Sequence, residues 1–119
     1  MPDDWLARLL GSLDNLDADL VASQFQDDAR LCYGNTPFAA GRRAIRKAFV
    51  RAFAELDSLH YQCVATWASE SVAVLEGDLS YEALPFRAGT LPMTVVLRFC
   101  SNRICDCQVF TYSPFFGHL

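Results

Sequence analysis

The chain has 119 residues, 52% of them hydrophobic and 20% charged, with a formal net charge of −4. This length supports a hydrophobic core without disulfide or metal staples and predicts a single domain spanning residues 1–119. No apolar run approaches the roughly 18 residues of a membrane span, and the acidic balance argues against nucleic acid as a partner.

The N-terminus, MPDDWLARLL, is acidic where a secretory leader is basic, so a cytoplasmic protein is expected. Asp3 and Asp4 can cap a first helix in which Trp5, Leu6, Leu9, Leu10 and Leu13 recur at helical spacing. Asn15 or Asp17 can cap a second, short helix containing Leu20, Val21 and Phe25. A short extended segment follows around Arg30 to Tyr33, then a loop marked by Gly34, Asn35, Pro37 and Gly41. From Arg42 to Leu56 the spacing predicts a strong amphipathic helix, with Ile45, Phe49, Phe53 and Leu56 on one face. Its other face carries Arg42, Arg43, Arg46, Lys47 and Arg51, which reads as a solvated surface or a docking face for an acidic partner.

After Asp57 the period falls to two, predicting strands near Leu59–Ala68, Val72–Glu82, Thr90–Phe99 and Ile104–Ser113. In the second of these Ala73, Leu75, Leu79 and Tyr81 oppose Glu76, Asp78, Ser80 and Glu82. In the third Leu91, Met93, Val95, Leu97 and Phe99 oppose Thr94 and Arg98. Helices followed by a run of antiparallel strands define an α+β domain with its helices on one sheet face. A curved sheet of that kind encloses an apolar cavity, the default small-molecule site. The five cysteines match no disulfide framework and no paired zinc pattern, and all five read as reduced thiols.

Four stretches in order, FQDDARLCYGNTPFAAGRRAIRKAF, LHYQCVATW, VLEGDLSYE and RICDCQVFTYSPFF, resemble the SnoaL-like branch of the nuclear transport factor 2-like superfamily. The resemblance implies a cone-shaped, cystatin-like α+β barrel: a curved, mostly antiparallel sheet wrapped around N-terminal helices. That superfamily includes ketosteroid isomerase, polyketide cyclases, dehydratases and epoxide hydrolases, and also scaffolds without catalysis, so the site must be argued from its residues. Ketosteroid isomerase places an aspartate base near the position of Tyr33, where this chain has no carboxylate. The last strand of SnoaL-like sequences commonly reads Ile-x-Asp-x-Arg-x-aromatic-x-Asp. Here it supplies Asp106 and Phe110, but Gln108 in place of the arginine and Tyr112 in place of the second acid.

Asp106 is therefore the candidate general acid or base, its structural alternative being a strand-mouth aspartate bonded to backbone or Arg103. His60 matches a histidine common in the family and is the candidate partner, unless strand alternation leaves it exposed. Tyr33, Asn35, Tyr81, Gln108 and Tyr112 are candidate substrate-orienting donors, or else rim and core residues satisfied locally. Trp67, Phe86, Phe99 and Phe110 are read as packing the core or lining the substrate cavity. Strand alternation sets Cys105 and Cys107 with Val109 and Thr111, opposite Asp106, and they are read as packing the outer sheet face. A metal there would need further ligands, and neither His60 nor His118 is spaced to help.

Two functions are carried forward. One is a cofactor-independent isomerase, cyclase or dehydratase acting on a hydrophobic cyclic molecule. The other is a non-catalytic carrier or dimerising module with a degenerate pocket. The expected partners are a small hydrophobic molecule, absent if the pocket is empty, and a second copy of the chain, with no metal or organic cofactor, no nucleic acid and no membrane.

Overall fold

The computed structural model describes residues 3–83 and 87–111, so Tyr112, Phe86 and His118 lie outside the described residues. Helix α1 (Trp5–Asp14) turns its leucines inward. Asp4 stands at its N-cap, yet caps it only through its backbone carbonyl, which accepts from the Arg8 amide at 3.1 Å. Helix α2 (Ala18–Ser23) is capped as expected by Asp17, whose carboxylate accepts the Leu20 amide at 3.0 Å. Phe25 belongs not to that helix but to the start of strand β1 (Phe25–Tyr33), where it is fully buried.

The predicted Gly34–Gly41 loop is instead a hairpin: strand β2 (Thr36–Ala40) folds back on β1. Helix α3 (Arg42–Ala54) buries Ile45, Phe49 and Phe53, and Leu56 has already passed into strand β3 (Leu56–Ala68). Among the basic residues of α3, Arg42 is anchored by Asp27 at 2.9 Å and by the Phe25 carbonyl, while Arg46 pairs with Asp19. Strands β4 (Val72–Ala83), β5 (Arg87–Cys100) and β6 (Arg103–Thr111) complete the sheet.

The six strands run in the order β2-β1-β6-β5-β4-β3, with only the β1–β6 pair parallel. Edges β2 and β3 do not pair, so the curved sheet stays open and the helices lie against its concave face. On that face Phe25, Leu31, Leu59, Leu75, Leu79, Leu97 and Ile104 pack against Leu9, Val21, Ile45 and Phe49. Burying this apolar surface is the main driving force for the fold. No helix among the described residues is long and apolar enough to cross a membrane.

Two β-bulges decide which side chains face the core. In β3 the register with β4 shifts between Cys63 and Ala65, so Val64 is an extra residue and the alternation reverses beyond it. Trp67 therefore pairs with Val74 on the convex face and is 55% exposed, instead of packing the core. In β6 the register with β5 jumps from Phe99–Ile104 to Arg98–Asp106, leaving Cys105 as the extra residue. Ile104 is buried in the core, but Asp106, two residues later, is on the opposite face, and Cys107 points inward. The outer-face reading of the two thiols is thus overturned. Cys107 is a core residue, and Cys105 is joined by a disulfide to Cys100 across the turn, their Cα atoms 5.7 Å apart. Cys32, Cys63 and Cys107 are free thiols.

Candidate functional site

The space enclosed between α1 and the concave sheet is an apolar cavity of about 60 Å³. Leu9, Leu10 and Leu13 of α1 roof it, and Leu59, Tyr61, Leu75, Leu79, Met93, Val95, Leu97, Cys107 and Val109 line the strand side. Two of these carry polar atoms. The Tyr61 hydroxyl donates to the Met93 carbonyl at 2.7 Å, and burial pushes its ionisation well above the ordinary tyrosine value. Burial likewise raises the Cys107 thiol, with the neighbouring Asp106 charge adding to the effect, so the thiol is neutral and inert. Among the described lining residues there is no carboxylate or imidazole.

Asp106 lies on the other side of the sheet. Register sets it between Arg98 on β5 and Arg30 on β1, and its carboxylate meets Arg30 Nη2 at 3.0 Å and Arg98 Nη1 at 3.6 Å. Both guanidiniums are about half exposed or more, whereas the Asp106 side chain keeps only 12% of its surface. Arg103, the partner expected from sequence, plays no part in this cluster. Gln108 is also on the convex face: it accepts from Arg98 at 3.1 Å and donates to the Gly34 carbonyl and to Asn35 Oδ1. Its bonding groups are therefore committed to holding the β1–β2 turn against β6. Phe110 joins this face, 42% exposed and beside Gly34.

His60 lines neither place. Its Nδ1 lies 2.9 Å from Asp14 Oδ1 at the end of α1, and that hydrogen bond raises its pKa. Tyr33 stands on the concave side edge-on to Phe38, their ring centroids 5.9 Å apart, at the margin of the core. Tyr81 lies against Gly89, where even a Cβ would come within 2.7 Å of its hydroxyl. Of the predicted site, then, Asp106, Asn35 and Gln108 share one outer groove, Trp67 and Phe110 share the same sheet face, and Tyr33 and Tyr81 lie inside. His60 joins neither group. Arg30 and Arg98 were not anticipated, although opposite charges at paired strand positions are a recognisable signal once register is known.

A helix-roofed cone with an open, curved, mostly antiparallel sheet is the architecture of the ketosteroid isomerase-like and cystatin-like α+β proteins. The SnoaL-like domain model matches residues 6–107, and the chain belongs to that family. A protein of ketosteroid isomerase-like fold from Catenulispora acidiphila, solved in complex with trimethylamine, superposes with a TM-score of 0.81 at 16% identity, over 95% of this chain and 88% of that one. A Shewanella denitrificans protein bearing a SnoaL-like polyketide cyclase assignment gives 0.79 at 13% identity, over 90% and 87% of the two chains. An M. tuberculosis epoxide hydrolase of the LEH-like type gives 0.73 at 18% identity, over 90% and 79%. At these identities the likeness establishes the fold. No curated protein sequence matches the chain.

Proposed function

We propose that the protein is a non-catalytic binding module for a small apolar molecule, seated in the central cavity. The observation carrying this reading is the cavity lining, whose described residues offer leucines, valines, a Tyr61 hydroxyl already bonded to the Met93 carbonyl and one inert thiol, while the one acid on the expected strand faces outward. Acid/base isomerisation, cyclisation or dehydration needs a group within hydrogen-bond reach of the proton it moves. A sheet separates Asp106 from the cavity. Size points the same way: about 60 Å³ is far below the roughly 300–1,000 Å³ of a drug-sized pocket. A single ring or short chain would enter by displacing the leucine ridge of α1, and a polycyclic substrate would not fit.

Titration with toluene and with cyclohexanone tests this. Both are expected to raise the melting temperature and to shift methyl resonances of Leu75, Leu79 and Val95. Asp106→Asn is expected to lower stability by about 1–2 kcal/mol through loss of its ion pairs, yet leave both affinities within about twofold. Turnover of a cyclic enone, abolished by Asp106→Asn, would overturn the reading.

A second copy of the chain is the partner we propose for the convex face. Trp67 and Val64 are 55% and 66% exposed there, and the row Trp67–Val74–Val96 continues across three strands. Exposed apolar surface of this kind marks an association site. Sedimentation equilibrium is expected to give a dimer that Trp67→Asp weakens at least tenfold, and a monomeric wild-type chain would refute it.

A further inference from the structure

A second cleft, at the end of the cone, is lined by residues of α1, the end of α2, β5, the β5–β6 turn and the start of β6, and has a volume of about 120 Å³. Trp5 and Phe99 form its aromatic floor, edge-on with centroids 5.4 Å apart. Arg8 and Arg103 stand at its walls, and neither has a carboxylate within salt-bridge distance among the described residues. Among the described residues Arg30, Arg42, Arg46 and Arg98 each hold an acid, whereas Arg43, Arg51 and Arg87, like Arg8 and Arg103, do not. What sets Arg8 and Arg103 apart is that both line one recess, over an aromatic floor.

Ser101 and Asn102, the two residues of the β5–β6 turn, both have positive φ, 52° and 67°. Positive φ at both positions is the usual geometry of a two-residue β-hairpin turn, and asparagine adopts it readily. The turn sets Asn102 and Arg103 side by side in the lining of the cleft.

We propose that this cleft binds a small aromatic carboxylate. A guanidinium recognises a carboxylate with paired, charge-assisted hydrogen bonds, and Asn102 supplies a neutral donor. The ring of the ligand would lie against Trp5 and Phe99, as aromatic pairs prefer edge-on or offset contact. Volume limits the choice: about 120 Å³ is close to the roughly 150 Å³ cavity that accepts benzene, so one ring fits and two fused rings do not. Leu9 lines both this cleft and the central cavity, but the chemistry of the two differs, one charged and aromatic, the other wholly apolar in surface. The proposal therefore stands whether or not the central cavity binds anything.

The test uses benzoate as probe and the fluorescence of Trp5, in the full chain carrying Trp67→Phe so that Trp5 is the sole indole. Saturable quenching by benzoate is expected at low ionic strength, weakened by salt. Benzamide, which lacks the charge, and cyclohexanecarboxylate, which lacks the ring, are each expected to bind about tenfold more weakly. Arg8→Ala and Arg103→Ala, at exposed positions, are expected to leave the melting temperature unchanged and to weaken benzoate about tenfold each. Equal affinity for benzoate and benzamide, benzoate affinity surviving both arginine substitutions, or phosphate competing as well as benzoate would each overturn the proposal. Amide resonances place the ligand: shifts at Asn102 and Arg103 support it, and shifts confined to Leu75 and Val95 refute it.

Discussion

Cys107→Asp is expected to cost the protein about 4 kcal/mol at pH 7 and much less near pH 4. Cys107 is 5% exposed and lies on the concave face between Leu31 and Leu97 in register, against the apolar cavity. An introduced carboxyl there loses its hydration and gains no donor, and Asp106 next to it adds a repulsive charge. Buried carboxyls of this kind have pKa values raised by roughly 3–5 units. The unfolded chain ionises near pH 3.9, whereas the folded chain resists ionisation until well above neutrality. An acid raised on folding leaves stability intact below about pH 3.9 and removes it progressively as pH climbs. About three units of pH at roughly 1.4 kcal/mol each give the stated loss. Urea denaturation of the variant and wild type between pH 4 and 8 measures it. Cys107→Asn should lose a constant amount across that range. A flat difference for the aspartate variant would mean that the cavity is wet, and the apolar-ligand reading would fall with it.

Gly77→Ala is expected to lose about 3 kcal/mol or more, lowering the melting temperature by about 10–15 °C. A Cβ at Gly77 would stand 2.1 Å from the Gln62 carbonyl oxygen and 3.1 Å from the Cys63 Cα. Those are backbone atoms of β3, with no rotamer by which to yield. β3 and β4 must part where the bulge at Val64 already interrupts their ladder. Beyond that point β3 carries Trp67, so the same substitution is expected to weaken self-association as well. Calorimetry and sedimentation of one preparation read both effects.

Much of the fold was legible because hydrophobic period reports secondary structure directly. Ile45, Phe49 and Phe53 identify α3, and the strict alternation through Leu75, Leu79 and Tyr81, and through Met93, Val95 and Leu97, assigns the faces of β4 and β5 correctly. Wherever the ladder is regular, counting by two works. The hairpin of β1 and β2 was missed because Gly34, Asn35 and Pro37 are turn-formers that mask a five-residue strand.

The site was far less legible. Counting by two from Ile104 places Asp106 inside the cone, and counting from Leu59 places Trp67 in the core. Both counts fail at a single inserted residue, Cys105 or Val64. A bulge has no dependable signature in composition, since it exists only when two strands are paired. The disulfide escaped notice for a related reason: the turn that brings Cys100 and Cys105 together is a property of the pairing.

By itself, then, the sequence determined the α+β class, the helical faces, the order of the four strands after Asp57 and the apolar character of the interior. Local periodicity and burial free energy are properties of short segments and survive without a partner strand. Only the tertiary structure decided that Asp106 is clamped by Arg30 and Arg98 on the convex face, that the inner cavity is lined by Cys107 in its place, and that Arg8 and Arg103 share one aromatic cleft. Those facts depend on register between segments distant in the chain, and one residue of slip exchanges the inside of a sheet for its outside.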